Sequence, residues 1–160
     1  MKDEGMMRLA LMIVMVGWLM GGCARHHEDK WTRARPATYR VTGRVEMQGK
    51  PVDGAKVVFH TAAPVNGKDY SAFGYTDGSG AFTLQTFRDR DGAVAGEHWV
   101  TVEKITYSDP PAPRNEGDAV PPPVENSHLP DRYRSPKTSG LGAEVDSAGR
   151  NTFVFTIDEN

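Results

Sequence analysis

The sequence predicts an all-β protein, folded as a seven-stranded antiparallel Greek-key sandwich that follows an apolar N-terminal segment. Short segments after residue 38 alternate apolar and polar side chains, as half-buried strands do. Turn sequences rich in glycine, proline, asparagine and aspartate separate these segments. Because no helical periodicity follows the N-terminal segment, two packed sheets are the architecture that buries the apolar faces.

The strands are predicted in order from these patterns. In the first strand, Tyr39, Val41 and Val45 lie on one face and charged residues lie on the other. The Asp-Gly-Ser-Gly sequence at 77–80 predicts a tight turn that closes a hairpin with the next strand. A further turn, at 146–151, joins the last two strands. The seven predicted strands are residues 39–47, 55–61, 71–76, 81–86, 96–107, 141–145 and 152–157.

A proline-rich segment at 108–127 interrupts this pattern. It contains six prolines, and proline removes the backbone donor that a central strand needs. The segment is therefore predicted to be an extended loop. Two roles are open for it: a surface that docks a partner, or a spacer that connects two parts of the sandwich.

The N-terminal residues 1–22 have the layout of a signal peptide. Lys2 and Arg8 precede an apolar run of eleven residues, 9–19, and two glycines stand before Cys23. Because about 20 apolar residues are needed to span a bilayer, the run predicts a cleaved signal helix and not a permanent anchor. The start of translation is open among Met1, Met6 and Met7.

Residues 19–23, Leu-Met-Gly-Gly-Cys, resemble a bacterial lipoprotein cleavage box. This resemblance implies cleavage before Cys23 and acylation of both its thiol and the new amino terminus by chains such as palmitate. Acyl chains in this number hold a protein stably on a membrane. The alternative is a secreted protein in which Cys23 keeps a free thiol.

The exported part is predicted to be a flexible tether at 23–38 and a single domain at 39–160. The tether is polar and charged and lacks any strand or helix period. The chain has 19 basic and 21 acidic residues, a formal net charge of −2, so a nucleic-acid partner is not expected. Cys23 is the only cysteine, so no disulfide can stabilise the domain.

Several motifs of the predicted domain occur in a recognisable order. They are VTGRV at 41–45, GKPV at 49–52, GAKVVF at 54–59 and TDGSGAF at 76–82. This order resembles a carboxypeptidase regulatory-like domain, of the transthyretin-like or prealbumin-like type, as it occurs in small bacterial lipoproteins. The resemblance implies the sandwich fold and an accessory role, since a fold alone does not define an activity.

Few residues suggest a chemical site. Asp89 and Asp91 precede Gly92 as in part of a calcium-binding loop, but this alignment places Phe87 at the first ligand position. The two aspartates are therefore weak metal candidates, and no cofactor is predicted. His60 and His98 lie in predicted strands and lack a recognisable third ligand, which favours packing or surface roles. No catalytic residue is predicted, and the protein is expected not to be an enzyme.

The predicted function is that of a membrane-anchored, non-catalytic lipoprotein that acts as a binding or structural module of the bacterial cell envelope. In a cell with two membranes, the lipoprotein resemblance, with alanine and not aspartate at position 24 after Cys23, implies the outer membrane. The expected partners are the membrane, through Cys23, and an envelope protein or glycan. The alternative is a carrier or sensor of a small sugar or peptide, including a calcium-dependent form. The candidate contact surfaces are the proline-rich segment and the aromatic residues Trp31, Tyr70 and Tyr107.

Overall fold

A computed structural model describes residues 34–110 and 119–159 of the chain. The sheets lie in one compact unit of the chain, Pro36–Asn160. Its described residues form β-strands and one 3-10 helix at Asp131–Arg134, so the predicted all-β class is confirmed. Within the described ranges, no helix has the length and apolar character required to cross a membrane.

Twelve strands are described. They are β1 Thr38–Tyr39, β2 Val41–Met47, β3 Lys50–Pro51, β4 Lys56–Thr61, β5 Ser71–Tyr75, β6 Ala81–Thr83, β7 Ala93–Val94, β8 Gly96–Glu103, β9 Ile105–Ser108, β10 Val124–Ser127, β11 Leu141–Val145 and β12 Asn151–Ile157. Each of the seven predicted segments contains a strand, and the longest, 96–107, is divided into β8 and β9 at Lys104. The strand count of seven is too low because it omits short pairings such as β1 with β7.

Two larger sheets organise the strands. Sheet I has the order β11-β8-β4-β5, and all its neighbours are antiparallel. Sheet II has the order β12-β2-β3. Along one edge of β2, β6 pairs with the first half of the strand and β3 pairs with its end. β12 runs parallel to β2. The predicted purely antiparallel arrangement is therefore wrong at this pair, because β2 and β12 are joined by no hairpin that would impose opposite directions.

The two sheets share one apolar core. The Phe59 ring in β4 lies 5.7 Å from the Phe153 ring and 5.8 Å from the Phe155 ring, both in β12. It also lies 6.5 Å from the Phe82 ring in β6. Because Phe59 belongs to sheet I and the other three belong to sheet II, these rings join the sheets face to face. The predicted burial of Val100 and Val102 is confirmed, since both are fully buried.

The turn at 77–80 forms as predicted, and the hairpin forms in part: Phe73 and Gln85 make an antiparallel bridge, and the Asp77 N–H donates to the Ala81 carbonyl. The Asp77 carboxylate accepts hydrogen bonds from the backbone N–H groups of Ser79 and Ala81, and the Gly80 N–H donates to the Asp77 carbonyl. Beyond the turn, however, β6 pairs with β2, while β5 pairs with β4. The turn therefore carries the chain from sheet I to sheet II, which buries Phe82 in the shared core.

Two predicted boundaries need correction. The sequence predicts a tether that extends to residue 38, but Thr38 pairs with Val94 in the β1–β7 ladder. It also predicts a proline-rich loop over 108–127, but Val124–Ser127 forms β10 and pairs with β9. These four residues contain no proline, so each keeps the backbone N–H that a ladder requires. Residues 111–118 lie outside the described part.

Candidate functional site: the outer face of sheet I

The side of sheet I that faces away from the shared core is partly open to solvent, although Thr101 on it is only 6% exposed. Strand alternation and register place on it His60 and Trp99 as one neighbouring pair, and Val58 and Thr101 as the next. Trp99 is 52% exposed, and Tyr75 on β5 is 61% exposed. Tryptophan and tyrosine are enriched at protein interfaces, because they combine apolar surface with a polar group. This face is therefore the strongest candidate for a binding surface in the described part.

A cleft opens beside the indole of Trp99, and we call it the Trp99 cleft. Its volume is about 350 Å³. Its lining residues come from β8, β11 and the end of β4: Ala62, Glu97, His98, Trp99, Gly142, Ala143 and Glu144. On β11, the residue that pairs with Trp99 is Gly142, so the position directly opposite the indole has no side chain.

Two carboxylates flank the cleft on the same face. Glu97 and Glu144 are direct partners across the β8–β11 ladder, and both are exposed. Like charges in this position destabilise a sheet. Within residues 34–110 and 119–159, neither carboxylate forms an ion pair with a lysine, arginine or histidine. Among the described residues, the negative charge of the cleft is therefore not compensated by an ion pair.

In contrast to Glu97 and Glu144, Glu103 at the opposite end of β8 does form ion pairs. Its carboxylate lies 3.3 Å from the Lys56 Nζ and 3.9 Å from the Arg134 Nε. Arg134 also lies 2.8 Å from the Glu125 carboxylate, which links the 3-10 helix to β10. In the part of the chain that the structure describes, cations therefore pair with the carboxylate at one end of the outer face and not with those at the Trp99 end.

The two candidate histidines do not form a common site. Register pairs His98 with Thr61, and His60 with Trp99, so their side chains project from opposite faces of sheet I. His98 is 3% exposed, and its ring centroid lies 5.7 Å from that of Phe59. His60 instead lies near two hydroxyls on the outer face, those of Ser71 and Thr101, each at 3.3 Å. The shared metal or acid–base site considered from the sequence is therefore excluded for this pair.

His98 is held in one tautomer. Its Nδ1 lies 2.9 Å from the Gly96 carbonyl oxygen, which can only accept, so Nδ1 carries the proton. Burial lowers the pKa of His98 below its ordinary value of 6.5. The hydrogen bond to Gly96 raises the pKa, but its effect is smaller than that of burial. Burial, and then the charge of Lys56, also lower the pKa of His60. Both imidazoles are therefore neutral in the folded protein at neutral pH.

We expect acid to destabilise the domain through His98. Because its folded pKa lies below 6.5, its contribution to the free energy of unfolding is complete above pH 6.5 and is lost as the pH falls towards the lowered value. Urea unfolding at pH 7.5 and 5.5 measures this loss. His98→Asn keeps a donor for the Gly96 carbonyl, so the variant should lose less stability on acidification than the native chain. Equal losses would contradict the expectation.

The two aspartates proposed as weak metal candidates have different surroundings. The Asp91 carboxylate accepts hydrogen bonds from the backbone N–H groups of Thr86, Phe87 and Arg88, at 2.7, 3.0 and 2.9 Å. Asp89 is exposed, and its carboxylate lies 3.9 Å from the Arg90 guanidinium. Asp91 therefore organises the loop that precedes β7. Among the described residues, no group of three or more His, Cys, Asp and Glu is placed to hold a metal ion.

Asp91→Ala should lower the free energy of unfolding by about 1–3 kcal/mol, because it leaves partly buried backbone donors without their acceptor. Asp89→Ala is the matched control and should change stability by less than about 0.5 kcal/mol. Chemical denaturation measures both values. A larger loss for Asp89→Ala than for Asp91→Ala would contradict the role of Asp91 in organising the loop. Calcium binding by the pair stays a prediction, which the same unfolding curves test when calcium is added.

The other sequence-based contact candidates are distributed widely. Tyr107 is 68% exposed on β9. Tyr70 is half-buried and packs against the Phe87 ring at 5.7 Å. Cys23 and Trp31 lie outside the described residues. The sequence patterns did not single out Trp99 as a contact residue, although the alternation of β8 placed it opposite the buried Val100 and so on the solvent side.

No protein-family model and no curated protein sequence matches the chain. Among solved structures, the chain is similar to a 9R-lipoxygenase from Cyanothece PCC8801, with a TM-score of 0.37 and 16% sequence identity. The match covers 78% of this chain and 17% of the lipoxygenase chain.

Proposed function

We propose that this protein is a lipid-anchored, non-catalytic binding module of the bacterial cell envelope. The anchor is Cys23, acylated after removal of residues 1–22, and the preferred location is the outer membrane. The folded domain is a Greek-key sandwich of the carboxypeptidase regulatory-like type. The sequence before Cys23 supports the anchor, and the order of motifs between residues 41 and 82 supports the domain type.

The observation that carries the binding role is the open outer face of sheet I. An indole that is 52% exposed stands beside a cleft whose two carboxylates lack ion-pair partners in the described residues. Such a surface offers apolar contact and charge recognition together, which is typical of sites that bind partners. The same cleft supports the second candidate function, a small-ligand carrier, because about 350 Å³ is within the range of small-molecule sites.

Photocrosslinking in cells tests the binding role. A benzoylphenylalanine residue at position 99 should give adducts with an envelope component. The matched control is the same residue at position 154 on sheet II, where Val154 is 64% exposed. Adducts at position 99 and none at 154 support the proposal. A protein or glycan adduct indicates a binding module, whereas a small-molecule adduct favours the carrier. Equal adduct formation at both positions contradicts a specific surface on sheet I.

A further inference from the structure

The Trp99 cleft reaches the free edge of sheet I. Within the described residues, β11 pairs only with β8, so its other edge has no strand partner. β11 contains neither proline nor lysine, and Glu144 is its one charged side chain that could protect the edge from pairing with another chain. An edge of this kind is a template for an extended peptide, which adds to the sheet through main-chain hydrogen bonds.

Gly142, in the middle of β11, is not required by a close contact or by a positive φ. A Cβ atom at this position would meet only the His98 carbonyl oxygen, at 3.7 Å, an ordinary contact. Its backbone does not have a positive φ. Glycine weakens a strand interior and often marks a place where a ligand or another backbone approaches closely. Gly142 therefore keeps the path from the free edge to the Trp99 indole open.

The charge of the cleft determines what kind of chain fits it. Glu144 and Glu97 lie in one row that ends at the free edge, and neither has an ion-pair partner in the described part. A second copy of β11 would bring a second Glu144 to this edge and add to its negative charge. A lysine or arginine side chain would instead be attracted by both carboxylates. It would also be near the face of an indole, which attracts cations.

We propose that β11 pairs with an extended segment of a partner protein that carries lysine or arginine. The residue opposite Glu144 is the cation, and the residue opposite Gly142 lies against Trp99. These two partner residues are two positions apart, because alternate side chains of a strand share a face. This inference rests on the proposed function as a binding module and names the class of its partner.

Peptide titration of the full-length chain in detergent tests the proposal. Trp18→Phe and Trp31→Phe leave Trp99 as the only tryptophan, so its fluorescence reports the cleft. The probe is acetyl-Thr-Leu-Thr-Lys-Thr-Lys-Thr-amide. One control peptide has glutamate in place of both lysines, and another has the lysines but N-methylated backbone nitrogens that cannot pair with a strand. The lysine peptide should shift the Trp99 emission, and both controls should bind at least about tenfold more weakly.

Two variants examine the site itself. Gly142→Thr places a side chain in the path to Trp99, and the combined Glu97→Gln and Glu144→Gln substitutions remove the charge. Each should weaken binding of the lysine peptide by about tenfold or more. Gly78→Thr and Asp89→Asn are the matched controls and should leave binding unchanged, since a Cβ atom at Gly78 meets nothing within 4 Å. Thermal unfolding confirms that each variant folds.

The other outcomes overturn the proposal. Equal binding of the glutamate peptide refutes charge recognition, and equal binding of the N-methylated peptide refutes strand pairing. Binding of cellohexaose at Trp99, with no response to the lysine peptide, shows a glycan surface and leaves the binding module intact. If neither probe binds, the cationic-segment proposal fails, and the crosslinking experiment at position 99 decides separately whether the module function fails with it.

Discussion

Phe59→Ala is expected to lower the free energy of unfolding by about 3–5 kcal/mol, the range for removing a large side chain from a packed core. Phe59 is fully buried. Its ring contacts Phe153 and Phe155 across the interface between the sheets, as well as His98 within sheet I. The substitution therefore leaves a cavity where the two sheets meet. Urea unfolding monitored by circular dichroism measures the loss.

Phe73→Ala is the matched control, because Phe73 is the same residue type on the outer face of sheet I. It is only half-buried there, so the variant should lose about 1–2 kcal/mol from the reduced burial of apolar area. If Phe59→Ala does not fold, Phe59→Leu, with a smaller cavity, keeps the comparison measurable. Equal losses at positions 59 and 73 would contradict a core shared by the two sheets.

Gly92→Ala is expected to be the second severe substitution, with a loss of more than about 2 kcal/mol. Gly92 has a φ of 86°, a conformation that costs other residues about 1–2 kcal/mol. In addition, a Cβ atom at Gly92 would overlap the carbonyl group of Tyr39 in β1. The backbone carbonyl cannot move away without disturbing the β1–β7 pairing, so the clash adds to the conformational cost.

Gly54→Ala separates these two contributions. Gly54 has a φ of 68°, but a Cβ atom there meets nothing within 4 Å. This variant should therefore show the conformational cost alone, about 1–2 kcal/mol. Thermal and chemical unfolding of both variants give the difference that belongs to the clash. If Gly54→Ala were as destabilising as Gly92→Ala, the close approach of β1 to Gly92 would add nothing to the loss in the free energy of unfolding.

Local patterns in the sequence were sufficient to locate the main strands. Alternation in residues 96–103 correctly placed Val100 and Val102 in the core, because each side-chain direction follows directly from a period of two. The turn at 77–80 was also predictable, since Asp77 satisfies nearby backbone donors through its own side chain. Both features depend on interactions within a few residues of the chain.

Pairings between distant segments were not predictable from local patterns. The parallel direction of β12 beside β2, and the pairing of β6 with β2, depend on which sheet buries each apolar face. Strands of two residues, such as β1 and β7, have too few side chains to show a period. These two strands form because the fold brings their backbones within hydrogen-bonding distance of each other.

The candidate site depended on register. Trp99 belonged to the solvent face by alternation alone, but the opposition of Glu97 and Glu144 requires the pairing of β8 with β11, about 40 residues later in the chain. Register also determines whether His60 and His98 can form a common site. A shift of one residue between β4 and β8 would have put both side chains on the same face. Sequence patterns therefore identified the strand that carries the cleft and not the cleft itself.

Intact mass and detergent partitioning of the cell-expressed protein test the envelope anchor most directly, with the native chain compared with Cys23→Ala. We expect the native product to begin at Cys23, to carry acyl chains and to enter the detergent phase, because several acyl chains bind a membrane stably. Cys23→Ala should remain uncleaved or without lipid. A soluble native product with an unmodified Cys23 would contradict the anchor and favour a secreted carrier.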